Sequence, residues 1–304
     1  MQKKRIILSF AIAIAFAIQS PQTTTQDKLC SKEAQKLFGY NPQGTILVSA
    51  KEDAPKKILL VLHGFGCPNA EKSYKKYFPG NKKYLPFFFN FKDTLFFNNQ
   101  NGSLKKTKGA LAINIGQTPD AQVALFYLIK AWQKGYIIDI YGHSRGGAVA
   151  TIITDMLANP DYYINSWKKL EMTKTVPYLF GIMRKTIIDK EKIKKLRKSV
   201  EKIYMDKPLM NMQNIISPTV ELPLSTATKY KRSEKQPIEI LEEHVRNKES
   251  FDFHIILAAQ DNIVTNHSDN QLKNLCNQAG WEIKTTASEK HNNISTDIRN
   301  AVNS

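Results

Sequence analysis

The chain has 304 residues, 42% of them hydrophobic, which is enough for one large domain with a buried core and excludes collagen, a coiled coil or a wholly disordered chain. Its 44 Lys and Arg residues exceed its 27 Asp and Glu residues, so the formal net charge is +17. This charge favours an anionic membrane surface, an envelope polymer or nucleic acid as partner. A lysine-rich coding bias explains the charge equally well. The sequence has no nucleic-acid-binding motif, so we expect no specific nucleic-acid partner.

Residues 1–20 predict a secretory signal peptide. A basic start, Lys3 to Arg5, precedes an apolar run, and the small residues in Ala15 to Ala17 offer a cleavage site. The apolar run is shorter than the roughly 20 residues that span a bilayer. We therefore expect a secreted or periplasmic protein, in which loss of three basic residues lowers the net charge from +17 to +14. An uncleaved N-terminal membrane anchor is the alternative.

Strand-like and helix-like runs alternate along the rest of the chain. This alternation predicts an α/β fold with a mostly parallel central sheet and helices on both faces. Residues 21–55 are expected to form an N-terminal extension, and residues 56–160 and 249–304 the core. The first core strands are predicted at 57–62, 110–115 and 136–141, with a buried helix at 121–132.

The most informative motif is Gly142-His143-Ser144-Arg145-Gly146, which directly follows the strand at 136–141. A serine hydroxyl is a poor nucleophile unless the chain holds it clear of its own backbone and beside a base. A sharp turn from strand to helix does this, and Gly142 and Gly146 omit the side chains that would collide in such a turn. The motif predicts Ser144 as a nucleophile. The helix that follows is expected to end near Asn159-Pro160.

In this motif and its context the chain resembles the α/β-hydrolase superfamily, where the turn is called the nucleophile elbow. A second matching feature is the strand at 57–62, which enters the loop His63-Gly64-Phe65-Gly66. In the family, the loop after this strand and the residue after the nucleophile donate two backbone N–H groups to the oxyanion hole. The resemblance assigns these donors to Phe65 and Arg145. We interpret the imidazole of His63 as structural.

Residues 161–248 predict a helical cap inserted into the core, because no convincing strand follows the helix after Ser144. Within this range, apolar residues recur at helical spacing and lysines occupy the remaining face. The apolar positions are Ile193, Leu196, Val200 and Ile203. Such a helix could meet a lipid surface, but an ordinary amphipathic helix packed on the body is the simpler interpretation. The strand that the core still needs is expected at 214–222, with an extended connection at 221–224 as the alternative.

The third matching feature is an apolar strand that begins near Asp252 and is followed by Asp261. The family's acid follows a strand in this way, and its histidine comes later in the chain. The resemblance therefore assigns the acid to Asp261, with Asp269 and Asp252 as weaker candidates. His291 follows a further strand-like segment, at 281–286, and is the predicted base. His267 is the reserve candidate.

These assignments imply a secreted serine hydrolase that cleaves carboxylic esters, of lipase or esterase type, without a cofactor. Its substrate would be a small-molecule or lipid ester. A thioesterase, a peptidase or an acyltransferase would use the same residues, so these alternatives stay open. A catalytically silent relative that binds an anionic surface through its basic cap is the alternative from another class.

The three cysteines are Cys30, Cys67 and Cys276. They form no C-x-x-C pair and no zinc-binding spacing, so we expect no metal site. Export would permit one disulfide, and the sequence leaves open which two cysteines would form it.

Overall fold

The structure of the chain is a computed structural model. It describes residues 57–64, 67, 69–81, 83–91, 95–97, 104–106, 118–163, 190–211, 235–259, 261, 267–287 and 290–304. The predicted signal peptide, the N-terminal extension, the strand at 110–115 and Phe65 lie outside the described residues.

A six-stranded sheet forms the centre of the fold, with strand order β2-β1-β5-β6-β7-β8. Every neighbouring pair in it is parallel. Its strands are β1 (Lys57–Leu62), β2 (Tyr84–Phe89), β5 (Ile137–His143), β6 (Val200–Asp206), β7 (Asp252–Ala258) and β8 (Glu282–Thr286). Two short strands, β3 (Leu95–Phe97) and β4 (Leu104–Lys106), pair separately and antiparallel.

Helices cover both faces of this sheet. They are α1 (Ala70–Tyr74), α2 (Thr118–Gln133), α3 (Arg145–Ala158), α4 (Lys190–Ser199), α5 (Pro237–Arg246), α6 (His267–Ala279) and α7 (Thr296–Asn303). Alternate residues of β1 point to opposite faces: Leu60 packs in the core with α2 and α3, and Val61 packs in a second core with α1 and α7. A strand buried on both faces must be apolar throughout, which explains the continuous run in β1. The predicted α/β fold class is confirmed.

The predicted boundaries of the cap need correction, because part of the range 161–248 belongs to the core. Helix α4 packs on α2 and α3, and β6 is a central strand of the sheet. Val200 and Ile203 lie in β6 and not in a helix, although their separations of four and seven residues from Leu196 are helical. The strand beside β5 is therefore β6, and the segment 214–222, where a strand was expected, is not among the described residues. Residues 164–189 and 212–234 of the predicted cap lie outside the described residues.

Two further sequence expectations concern helix α3 and the cysteines. Helix α3 ends at Ala158, one residue before Asn159-Pro160, as predicted. Cys67 and Cys276 carry free thiols, and Cys30 lies outside the described residues. In the part of the chain that the structure describes, no helix is long and apolar enough to cross a membrane.

Because the sheet strands are parallel, their C-terminal ends meet along one edge, which we call the site edge. Ser144 follows β5, Lys207 follows β6, Asp261 follows β7, and His291 lies beyond β8. The fold therefore brings together residues that are far apart in sequence. The opposite edge, where the strands begin, is called the far edge.

Candidate active site

The turn at Ser144 has a backbone conformation that few residues adopt. Ser144 has φ 53° and ψ −113°, so the left-handed strain falls on the serine itself and not on the flanking glycines. Its N–H donates to the carbonyl of Asp206 at 2.9 Å, and its own carbonyl accepts from the N–H of Leu209 at 3.1 Å. These bonds to the last residue of β6 and to the segment after it hold the serine in place. Backbone strain of this kind is common at functional sites.

The elbow requires glycines because a side chain there would collide with neighbouring atoms, and not because of their dihedral angles. A Cβ atom added to Gly142 would lie 2.4 Å from the carbonyl oxygen of Gly146, and one added to Gly146 would lie 2.1 Å from that of Leu62. At Gly147 a Cβ would lie 2.5 Å from Cβ of Pro208. The prediction that side chains at Gly142 and Gly146 would collide is confirmed.

The structure brings Ser144, His291 and Asp261 into one hydrogen-bonded chain. His291 Nε2 lies 2.8 Å from Ser144 Oγ, and His291 Nδ1 lies 2.7 Å from Asp261 Oδ2. The side chains of His291 and Asp261 are only 4% and 5% exposed. An ionised carboxylate accepts but does not donate, so Nδ1 carries the proton and Nε2 is left to accept the proton of the serine hydroxyl. This arrangement can convert a serine hydroxyl into a nucleophile.

The weaker candidates for the acid and base occupy other places. Asp252 begins β7 at the far edge, where its carboxylate contacts His254. Asp269 lies in α6, and burial is the main cause that raises its pKa. His267 begins α6, and its side chain lies outside the described residues. The carboxylate bonded to His291 Nδ1 is that of Asp261.

Of the two predicted oxyanion donors, Phe65 lies outside the described residues and Arg145 begins α3. The N–H groups of the first turn project from the N-terminus of a helix, which is the positive end of the helix dipole. A developing oxyanion is stabilised at this end. The loop after β1 passes close by, since a Cβ on Gly64 would lie 3.5 Å from Cβ of Ser144. This placement is compatible with a donor from the loop.

The side chain of Arg145 has a role that the sequence did not indicate. It is fully buried, donates to Asp120 Oδ2 at 2.6 Å and lies 4.2 Å from the ring centroid of Phe91. Asp120 lies in the first turn of α2, so the pair ties the start of α3 to the start of α2. No pattern in the sequence joins residues 120 and 145.

His63 is structural, as its position in the loop predicted. It is buried, its Nδ1 lies 2.7 Å from the carbonyl of Gly64, and the N–H of Phe91 donates to its Nε2 at 3.3 Å. Burial, together with the positive charge of Arg145, lowers the pKa of His63 to about 3. The imidazole is therefore neutral and both of its nitrogens are engaged by backbone groups.

The sequence did not reveal three buried polar residues near Ser144 and His291: His143, Asp206 and Lys207. His143 Nε2 donates to the carbonyl of His291 at 2.7 Å, and the hydroxyl of Tyr74 lies 2.9 Å from its Nδ1. Burial lowers the pKa of His143 to about 4, so it is neutral at physiological pH. The available signal was two adjacent charged residues at the end of a strand: Asp206 is the last residue of β6 and Lys207 directly follows it.

Within the described residues, no group of three His, Cys, Asp or Glu side chains could hold a metal ion. The polar groups at the site edge instead bond to one another.

The parallel sheet, its helices on both faces and the strained serine between β5 and α3 make the fold α/β-hydrolase-like. No protein-family model matches the sequence. No curated protein is similar to it in sequence either.

Solved structures with a similar fold include a lipase-esterase related protein from Clostridium acetobutylicum, at 13% identity and a TM-score of 0.46. The match covers 84% of this chain and 97% of that one. Another is fluorophosphonate-binding serine hydrolase F from Staphylococcus aureus, substrate bound, at 13% identity, TM-score 0.47 and coverage of 86% and 88%. A third is esterase 2 from Thermogutta terrifontis phosphonylated by sarin, at 11% identity, TM-score 0.48 and coverage of 80% and 77%.

The chain is thus similar to α/β-hydrolase structures of esterase and lipase type, as the sequence predicted. The fold assignment depends on the chain's own sheet and elbow.

Proposed function

We propose that the chain is a serine hydrolase that cleaves carboxylic esters through an acyl-enzyme on Ser144. The observation that carries the proposal is the chain of hydrogen bonds from Ser144 Oγ to His291 Nε2, at 2.8 Å, and from His291 Nδ1 to Asp261 Oδ2, at 2.7 Å. These distances fall in the range required of a nucleophile, its base and the group that orients the base.

In the first half of the reaction, Ser144 Oγ attacks the ester carbonyl while His291 Nε2 takes the hydroxyl proton. Asp261 keeps the imidazole in the required tautomer and stabilises the imidazolium. Backbone N–H groups of Arg145 and Phe65 bind the oxyanion, and loss of one such donor typically costs about 3 kcal/mol of barrier. The intermediate then collapses as the bond to the leaving oxygen breaks and His291 protonates the departing alcohol.

In the second half, water replaces the alcohol. His291 takes a proton from the water as its oxygen attacks the acyl carbonyl, and returns that proton to Ser144 Oγ when the acid leaves. No electron transfer or metal is involved. Esters are proposed ahead of amides because an alcohol leaves more easily than an amine. Thioester hydrolysis, peptide hydrolysis and acyl transfer to another alcohol would use the same groups.

A panel of p-nitrophenyl esters of increasing acyl length, with a thioester and a peptide anilide beside it, tests this proposal. The expected result is ester hydrolysis by the wild-type protein that is lost in Ser144→Ala. Hydrolysis that survives in Ser144→Ala would contradict the proposal. Folded wild-type protein with no activity on any member of the panel would favour the catalytically silent alternative.

The alternative of binding to an anionic surface is favoured by one observation, the lysine-rich helix α4. Its apolar residues Ile193 and Leu196 are buried, and lysines such as Lys195 face outward. Flotation with vesicles of phosphatidylcholine and phosphatidylglycerol at low and high salt measures this binding. Association that falls steeply with salt and is unchanged by Ser144→Ala would identify a surface role separate from hydrolysis.

Export is also part of the proposal, with residues 1–20 as a cleaved signal peptide. N-terminal sequencing of secreted or periplasmic protein tests it. A mature chain that begins near residue 21 supports export with cleavage, and a chain that still begins at Met1 supports the membrane-anchored alternative.

A further inference from the structure

The segment that carries the base, His291 to Ser295, is held in place through bonds to its main-chain groups. Three of its main-chain groups bond to buried side chains at the ends of β5 and β6. The carbonyl of His291 accepts from His143 Nε2 at 2.7 Å, that of Asn293 accepts from Lys207 Nζ at 2.8 Å, and the N–H of Ser295 donates to Asp206 Oδ2 at 2.8 Å. We call the three side chains the clasp.

Asp206 connects this segment to the nucleophile. Its backbone carbonyl accepts from the N–H of Ser144 at 2.9 Å, and its carboxylate accepts from the N–H of Ser295. The same carboxylate accepts from the hydroxyl of Tyr141 at 3.1 Å and from Lys207 Nζ at 2.8 Å. One residue therefore fixes the serine through its main chain and the base segment through its side chain.

Lys207 is an unusual residue for the end of a core strand. Its side chain, like that of Asp206, is 0% exposed, and its backbone has φ 49°, in the left-handed region. Burying two charges has a desolvation cost that their attraction often fails to recover, and an apolar pair of the same size is frequently as stable. Non-glycine residues pay a further cost for this φ. Stability alone is therefore a poor account of this pair.

The position of the buried pair beside the base segment explains it better than stability does. His143 and Asp206 are register partners on neighbouring strands, so their side chains reach the base segment from adjacent positions. Tyr74 adds a link to the loop after β1, because its hydroxyl accepts from the N–H of Gly64 at 3.1 Å and bonds to His143 Nδ1. The nucleophile turn, the loop after β1 and the base segment thus share one buried network.

We propose that Asp206 and Lys207, with His143, position the imidazole of His291 against Ser144 Oγ. They are positioning residues, because they bond to the backbone of the base segment and not to a substrate. The inference depends on the proposed function for its consequence in catalysis. A base displaced by about 1 Å can reduce the rate on the order of a hundredfold, so the clasp has a measurable effect.

Three variants separate positioning from stability. Asp206→Asn keeps an acceptor for Ser295 but removes the carboxylate charge that Lys207 Nζ contacts at 2.8 Å, so a large fall in the melting temperature is expected. Lys207→Met removes the bond to Asn293. The double variant Asp206→Asn/Lys207→Met removes both charges of this buried pair, so its melting temperature should recover towards that of the wild type. Its base segment still lacks the bond from residue 207.

Asp155→Asn is the matched control. Asp155 is also fully buried and accepts from Tyr163 Oη at 2.6 Å, Asn159 Nδ2 at 2.7 Å and Lys235 Nζ at 3.4 Å. It lies in α3 more than two turns beyond Ser144 and has no bond to the base segment in the described residues. This variant should lose stability without any change at His291.

The decisive measurement is the Cε1–H cross-peak of His291 in ¹³C-histidine-labelled protein, assigned by its loss in His291→Gln. We expect it to shift or broaden in the double variant and to stay in place in Asp155→Asn. In ester hydrolysis, kcat of the double variant should fall by about ten- to a hundredfold with KM within about twofold.

An unchanged cross-peak in the double variant would overturn the clasp, whatever the activity. A changed cross-peak in a wild type that hydrolyses no ester would support the clasp while the proposed function fails. The two proposals are thus tested separately.

Discussion

Two groupings of a histidine with carboxylates lie at opposite edges of the same sheet. At the site edge, His291 bonds to Asp261 through one nitrogen and to a serine hydroxyl through the other. At the far edge, His254 Nδ1 lies 2.5 Å from Glu282 Oε2, and its Nε2 lies 3.2 Å from Asp252 Oδ2. The residue types are nearly the same, but the surroundings are not.

The difference shows what makes a histidine a base. Both nitrogens of His254 face carboxylates, and the side chains of Asp252 and Glu282 are 54% and 45% exposed. That grouping lies at the surface with two largely solvated carboxylates, and such surface contacts contribute little to stability. His291 is buried, has a single carboxylate at Nδ1 and presents Nε2 to a hydroxyl. Burial and the identity of the second partner distinguish the two.

The largest effect is expected from a matched pair of histidine variants. His291→Gln removes the proton acceptor and should lower kcat for ester hydrolysis on the order of 10⁶-fold. His254→Gln should leave kcat within about twofold, because this histidine lies at the far edge. Steady-state kinetics with a p-nitrophenyl ester measures both. Equal losses in the two variants would mean that the assignment of the base is wrong.

The two aspartates give the next comparison. Asp261→Asn keeps the size of the side chain but favours the wrong tautomer of His291, and a loss of about 10⁴-fold in kcat is expected. Asp252→Asn should have no effect on kcat. If Asp261→Asn retained full activity, another group would have to orient the imidazole.

The glycines of the two edges should differ in their tolerance of a methyl group. A Cβ on Gly146 would lie 2.1 Å from the backbone of Leu62, so Gly146→Ala should lower the free energy of unfolding by more than about 3 kcal/mol or prevent folding. Gly280 has φ 71° and nothing within 4 Å, so Gly280→Ala should cost only about 1 kcal/mol, for its backbone strain. Urea unfolding measures both, and a smaller loss in Gly146→Ala would contradict the packing of the elbow.

How far the sequence predicted these features depended on whether the signal was local. The elbow was predictable because strand, glycines and serine are contiguous in residues 136–147. The roles of Asp261 and His291 were assigned from the order of acid and histidine along the family's chain, and from the strand-like segment that precedes each residue. Their convergence on Ser144 is a property of the folded sheet.

The rest could not be predicted for physical reasons. Val200 and Ile203 continue the apolar spacing of α4 across the point where the helix ends and β6 begins. The change from helical to strand periodicity could therefore not be detected in the sequence. The Arg145–Asp120 pair and the clasp depend on contacts between distant segments. A charged residue buried by such contacts looks in the sequence like a surface residue.

A smaller effect is expected from pH at the far edge. His244, near the end of α5, is buried, and burial is the main cause that lowers its pKa to about 4; Arg197 and Lys235 lower it further and Asp155 opposes them. The unfolded chain takes up a proton below about pH 6.5 and the folded chain only near pH 4, so stability is present above the first value and is lost towards the second.

This residue should therefore account for about 2 kcal/mol of the stability lost between pH 7 and pH 5. Urea unfolding at both pH values, for the wild type and for His244→Gln, measures the difference. The variant should lose less stability than the wild type over this range. If both lost the same amount, His244 would not be held neutral in the fold.

The most direct test of the account is the reaction of the folded protein with a fluorophosphonate, read by intact-mass and peptide mass spectrometry. A serine hydrolase should gain one phosphonyl group per chain, located on the peptide that contains Ser144, and Ser144→Ala should gain none. A folded wild type that stays unmodified, or a phosphonyl group on another residue, would contradict the central claim that His291 and Asp261 activate Ser144.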